Sequence, residues 1–259
     1  MSYEAIRVEQ EGALTVVTIA RSKAYNALNT VAHEELAAAF DAFEADQSQW
    51  AAIITGEGEK AFCAGHDLKQ QAEGGGIVLP PSGFGGLTSR FNMIKPVIAA
   101  VNGVAMGGGF EIVLACDIVI AARNAQFALP EPRVGLAALA GGMQRLTLQI
   151  GPKQAMGMML TGRKVSAEEG IALGFVNEVA PTGEALVVAK RWAAEILACA
   201  PLSIRATKHV ALQTMNVPLD QSISSVWSDP VVKAMMESQD AIEGSAAFSE
   251  RRTPRWTGK

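Results

Sequence analysis

The sequence predicts an α/β protein whose layered first part gives way to a helical end, and three observations carry that expectation. Short apolar, β-branched runs alternate with helical stretches through about residue 180, with short links between them. From Glu184 onward the apolar residues recur at helical spacing. Hydrophobic residues make up 49% of the 259, ample for the core of one large domain, or of one domain with an appendage.

Ala13 to Ala20 (ALTVVTIA) reads as the first strand, followed by the polar turn Arg21-Ser22-Lys23. Asn29-Thr30 is placed to cap a helix from Val31 to about Ala45, with Leu36, Ala37, Phe40 and Phe43 inward at helical spacing. Ala51 to Thr55 is the next strand. Beyond it, Gly56, Gly58 and Ala61 fit a loose G-x-G-x-x-A dinucleotide fingerprint. That motif needs a helix directly after the turn, and A-F-C-A-G does not read as one, so a nicotinamide enzyme is rejected.

From Gln70 to Ser89 the chain is rich in glycine and proline, too long for a plain connector and of the kind that covers or lines a site. Pro96 to Val101 is a buried strand broken at Asn102-Gly103, and Gly107, Gly108 and Gly109 lead into a helix carrying Ile112 to Cys116. Ile118 to Ala122 is a further strand, and Ala125 to Ala128 leads into Pro130-Glu131-Pro132. Helices follow over Glu184 to Cys199, Ser203 to Met215, Val231 to Met236 and Ile242 to Arg252, with a break at Pro201 and a polar link from Asn216 to Gln221. Their spare apolar faces point to packing on a neighbouring subunit.

A net charge of −4 argues against nucleic acid, whose binders concentrate positive charge. The opening MSYEAIRVEQEG is no secretory signal, and Asn102, Glu111 and Asp117 interrupt the best candidate for a long apolar run, so a cytoplasmic protein away from membranes is expected. Cys63, Cys116 and Cys199 are too few and scattered for a disulfide framework and read as packing residues. His33, His66 and His209 lack metal spacing, and Cys63 with His66 is a lone C-x-x-H, so no metal is expected.

Three short stretches carry candidate chemistry. A strand, a glycine-rich turn and a helix leave unpaired N–H groups at one spot, where Gly108 would present its N–H and Glu111 would sit in the first helical turn. The small-residue turn Ala64-Gly65 leaves the His66 N–H free in the same way. Glu131 lies between two prolines whose fixed φ stiffens its backbone. Two amides converging on one oxygen stabilise charge that develops in a transition state, roughly 3–4 kcal/mol per donor, and two carboxylates beside them can share acid and base duties.

In combination, A-F-C-A-G-H-D-L-K (61–69), K-P-V-I-A-A-V-N-G with G-G-G-F-E after it (95–111), A-Q-F-A-L-P-E (125–131) and A-I-E-G-S-A-A-F-S-E-R-R (241–252) resemble the enoyl-CoA hydratase/isomerase (crotonase) family over essentially the whole chain. The resemblance implies a crotonase-like (ClpP/crotonase) spiral of β-β-α units over 1–198 that holds the CoA and acyl site. Over 199–259 it implies a helical region that caps the site and assembles a homotrimer or a hexamer of paired trimers. It places the catalytic glutamates at Glu111 and Glu131, the oxyanion donors on the N–H groups of His66 and Gly108, and substrate or CoA contacts at Ala64, His66, Asp67, Leu68, Lys69 and Gly108. The His66 ring lines the pocket. No metal or prosthetic group is implied, CoA arriving within the substrate.

The activity so implied is that of an enoyl-CoA hydratase, a hydro-lyase adding water reversibly across the 2,3 double bond. Alternatives are a carnitinyl-CoA dehydratase-like lyase, a 3-enoyl-CoA isomerase and, outside catalysis, an acyl-CoA binding protein. G-F-G-G-L-T, the F-E and A-L-P-E contexts and the ending look similar to the carnitinyl-CoA dehydratase subgroup, although no aromatic or acidic partner for a quaternary ammonium stands out. Where the family's hydratases commonly have Gly-x-x-Pro-Gly-Ala-Gly-Gly, this chain has Ala138 and Leu139 at the proline and the glycine after it. Leu139 is thus expected near the acyl pocket, narrowing it or shifting the attacking water. It also replaces the acid of the family's dienoyl-CoA isomerases and disfavours that activity. Arg251, Arg252, Arg255 and Lys259 are placed either to meet CoA phosphates or to remain solvated.

Overall fold

The computed structural model describes residues 3–67 and 78–259, and its strands divide between two sheets. The larger has the order β1 (Ile6–Glu11), β2 (Leu14–Ile19), β3 (Ala51–Gly56), β5 (Val97–Val101), β7 (Ile118–Ala122), β10 (Glu178–Ala180). The smaller has β4 (Ala61–Cys63), β6 (Val104–Met106), β8 (Gln126–Ala128), β9 (Val165–Ser166). The helices are α1 (Thr30–Ala45), α2 (Gly108–Ala115), α3 (Gly142–Ile150), α4 (Pro152–Thr161), α5 (Ala167–Leu173), α6 (Ala185–Leu197), α7 (Pro201–Thr214), α8 (Leu219–Ser225), α9 (Pro230–Met236) and α10 (Gln239–Glu250).

Each pass of the chain lays one strand in the large sheet and the next in the small one: β3 then β4, β5 then β6, β7 then β8. α2 closes the pass of β5 and β6 and α3 that of β7 and β8, and the β-β-α spiral expected of the sequence results. Except for β1, which pairs antiparallel with β2, the large sheet is parallel. Parallel sheets need cover on both faces, and the alternation along the strands shows it. Ala52, Ile54, Val97, Ala99, Val119 and Ala121 face one apolar cluster with α1 and α2. Ala51, Ile53, Ile98, Ala100, Ile120 and Ala122 face the other, covered by Ala185, Ala189 and Ala193 of α6. Alanine at every fourth position lets that helix lie close against the sheet.

α1 begins where the sequence places it. The Asn29 side chain accepts from Ala32 N at 3.0 Å, an N-cap bond of the kind that typically contributes about 1 kcal/mol. Other boundaries differ from expectation. β1 pairs with β2 although its alternation is masked by charge, and β6 occupies the gap read as a plain break after Asn102. The helical run does break before Pro201, which opens α7 as its first residue because the N–H it lacks would be unpaired there. α8 begins inside the link read as polar and takes up its last three residues, Leu219 to Gln221. Cys63 and Cys116 are buried as packing residues, while Cys199 is exposed.

The helical end is tied to the core by named bonds. Lys208 Nζ donates to Asp117 Oδ2 at 2.7 Å and to Lys95 O at 2.9 Å, while within the helical end Asp240 accepts from the N–H groups of Thr257 and Gly258. Among the described residues no helix is long and apolar enough to cross a membrane.

Candidate active site

β4 and β6 lie parallel and each ends in a turn that cannot carry a side chain. After β4, Gly65 adopts φ +96, and a Cβ there would stand 2.9 Å from Met106 O and 3.4 Å from Gly108 N. After β6, Gly107 adopts φ +54, and a Cβ on Gly109 would collide with the Cys63 carbonyl. The two turns therefore meet backbone to backbone, which only glycine permits. Leu28 N donates to Gly65 O at 2.8 Å and Asp67 N to Leu28 O at 2.9 Å, holding His66 between two bonds. Its own N–H donates to no acceptor among the described residues. Gly108 is the first residue of α2, and its N–H is one of the donors that a helix start leaves unpaired. The two amides thus come together beside the positive end of a helix.

Two carboxyl groups flank them. Glu111, in the first turn of α2, is 3% exposed, and its Oε1 accepts from Gly142 N at 2.8 Å. Burial pushes its pKa up to about 7, and the charge of Glu131 adds to the rise; the Gly142 bond and the Arg145 guanidinium work against it. Glu131 follows Pro130 and opens a short 3-10 turn, Glu131–Val134, closed by Gly135 at φ 75. Its Oε1 packs on Gly107, where a Cβ would stand 3.1 Å away, and its Oε2 is buried without a partner among the described residues. Burial raises this pKa as well. Near neutral pH such a pair can hold one acid and one base.

A wall of rings completes the site. Phe84 covers Gly108, whose Cβ would strike its ring. His33 meets Phe84 edge-on at 4.5 Å and stacks with His66 at 6.1 Å and 20°. The same segment, through Thr88 O, accepts from Arg145 Nη2 at 2.8 Å, which fixes the guanidinium beside Glu111.

The structure thus brings Glu111, Glu131 and the N–H groups of His66 and Gly108 around one pair of turns. Ala64 N is bonded to Tyr25 O at 3.1 Å, and the Asp67 carboxylate is paired with Arg21 at 3.0 Å. Leu68 and Lys69 lie outside the described residues, as does most of the first half of the glycine-rich stretch. Leu139 is 79% exposed, and the residue against the Glu111 and Gly142 contact is the buried Ala138. Arg252 is taken up by Glu243 and Glu250, with Arg255 N also bonded to Glu243. Glu243, Arg252 and Arg255 line a cavity of about 500 Å³ under the tail whose lining includes neither Glu111 nor Glu131.

His33, Phe84, Gly142 and Arg145 were not singled out by the sequence reading. His33 had a signal, since it continues the inward series Leu36, Ala37, Phe40 one turn back. The positions of Phe84 and Arg145 depend on tertiary packing that no local pattern announces.

The family model described as enoyl-CoA hydratase/isomerase matches residues 9–259. A carnitinyl-CoA dehydratase of Escherichia coli O157:H7 is 42% identical over 261 aligned positions, covering 99% of both chains. Among solved structures, an enoyl-CoA hydratase from Mycobacterium tuberculosis H37Rv superposes with a TM-score of 0.93 at 40% identity, over 98% of this chain and 99% of that one. A carnitinyl-CoA hydratase from Mycobacterium avium superposes at 0.79 with 37% identity over the whole of both chains.

Proposed function

The chain belongs to the enoyl-CoA hydratase/isomerase family, and from that premise we propose that it adds water reversibly across the 2,3 double bond of an enoyl-CoA thioester. The observation that carries the proposal is the presence of two buried carboxyl groups with raised pKa values, Glu111 and Glu131, on either side of the glycine turn that presents Gly108 N–H.

The thioester oxygen accepts from the His66 and Gly108 amides, which stabilise the enolate formed as water attacks C3. Each such donor contributes roughly 3–4 kcal/mol in the transition state. The ionised carboxyl takes a proton from water as the C3–O bond forms, and the protonated one delivers its proton to C2. Proton count and charge then balance, and the pair is reset by one exchange. CoA enters only as part of the substrate, and no metal or prosthetic group takes part. The exposed Leu148, Leu160 and Phe248 favour assembly into a homotrimer or hexamer.

Dehydration of a 3-hydroxyacyl-CoA is the same path in reverse, and the names of the Escherichia coli relatives favour it as a second reading. Isomerisation of a 3-enoyl-CoA needs one carboxylate only. Glu111→Gln and Glu131→Gln separate these: each should lower hydration of a 2-enoyl-CoA at least about 10²-fold, followed by loss of the conjugated thioester absorbance. Isomerisation that survives one substitution overturns the hydratase reading. A parent protein that binds CoA thioesters yet turns over no enoyl or 3-hydroxyacyl form would be a binding protein.

A further inference from the structure

The ring wall carries polar atoms for which the hydration just described has no use. His33 is fully buried, and its Nδ1 accepts from Gly85 N at 3.1 Å, so the neutral ring carries its hydrogen on Nε2. It is neutral at physiological pH because burial, reinforced by the neighbouring His66, brings its pKa down to about 4. Nε2 is enclosed and has no acceptor among the described residues, and both nitrogens of His66 are in the same condition. Buried polar atoms are paired in native proteins as a rule, so three on adjacent rings ask for one explanation.

Their place supplies it. His66 is the residue whose N–H faces the thioester oxygen in the proposed reaction, and Phe84, in edge contact with His33, covers Gly108, the residue of the second donor. The segment bearing Phe84 continues to the Arg145 and Glu111 side of the site. Glu131 Oε2, which meets water or hydroxyl in that reaction, is enclosed and unpaired in the same way.

We propose that His33 and His66 form a neutral hydrogen-bonding subsite for an oxygen atom on the acyl chain beyond the reacting carbons. Resting on the acyl-CoA reading of the site, this narrows the substrate class to thioesters with a hydroxyl, ether or ketone oxygen on the chain. His33 offers a donor, and a neutral His66 offers one donor and one acceptor. An alkyl chain leaves all three unpaired, and a quaternary ammonium offers them neither hydrogen nor lone pair. A site built to hydrogen-bond a substrate discriminates against an analogue lacking the group.

The test uses saturated acyl-CoA thioesters, which cannot be hydrated, titrated calorimetrically into the intact protein. Hexanoyl-CoA is compared with analogues carrying an ether or ketone oxygen at C4 or C5, and with a chain ending in trimethylammonium. An oxygen at one position should tighten binding roughly tenfold over hexanoyl-CoA. That ratio should collapse in His66→Phe and His33→Leu and partly return in His33→Gln. Because it is taken on one preparation, the fraction of folded protein cancels. The subsite is overturned if the parent binds all chains alike, if trimethylammonium is preferred, or if the substitutions weaken every thioester in proportion. Turnover of a plain 2-enoyl-CoA by the same parent would leave hydration standing when the subsite fails, and absence of binding to any CoA thioester removes both.

Discussion

Glu111→Gln removes a titrating group from a buried place while keeping its shape and the carbonyl that accepts from Gly142 N. In the folded chain the Glu111 carboxyl titrates near about 7, against an ordinary value of 4.5. That difference, at roughly 1.4 kcal/mol per pH unit, amounts to about 3 kcal/mol. The folded form binds this proton more tightly than the unfolded chain, so the contribution is fully present below about pH 4.5 and is lost as the pH rises through about 7. Glutamine does not titrate. Relative to the parent, the variant should therefore gain stability from about pH 5 to about pH 8, by up to about 3 kcal/mol, or roughly 6–12 °C in melting temperature for a chain of this size. Urea unfolding of both proteins followed by circular dichroism at each pH reads the gap directly. A gap that stays constant, or that widens toward acid, refutes the claim that burial holds this carboxyl protonated.

Gly65→Ala should lower kcat/KM at least about 10²-fold and the melting temperature by only a few degrees, because the added methyl meets Met106 O at 2.9 Å and spreads the two amide turns. Equal activity in the two proteins would remove the amide pair from the chemistry. Leu139→Ala, at a side chain 79% exposed, should change stability by no more than about 0.5 kcal/mol. It should also leave the ratio of short-chain to long-chain kcat/KM where it was; a shifted ratio would place that side chain at the acyl pocket.

What could be read from the sequence follows the strength of the local signal. α1 was legible because a capping asparagine and a long apolar period agree, and β3 because six consecutive residues are buried on both faces. β4 and β6 have three residues each and owe their pairing to another pass of the spiral, so no period marks them. α8 has no buried residue, and its Leu219 and Ile223, one turn apart, stay exposed among polar neighbours that mask the period. The placing of the site rested on four motifs in order. For Leu139, the alignment of a motif fixes neighbours in sequence but not the direction of a side chain: it is 79% exposed while Ala138 beside it packs at Gly142. His33 shows the opposite case: its helical period was present, and a polar residue on an inward face is easily passed over.

In the proposed reaction the groups that meet the thioester oxygen belong to the main chain, so any exchange of the side chain at residue 66 short of proline leaves its N–H in place. Heritable variation at this fold can therefore retune which acids stand opposite and which rings enclose the acyl tail, while the electrophile-activating device passes on intact. Catalysts for different reactions can then diverge by changing the furniture of one room whose floor stays fixed.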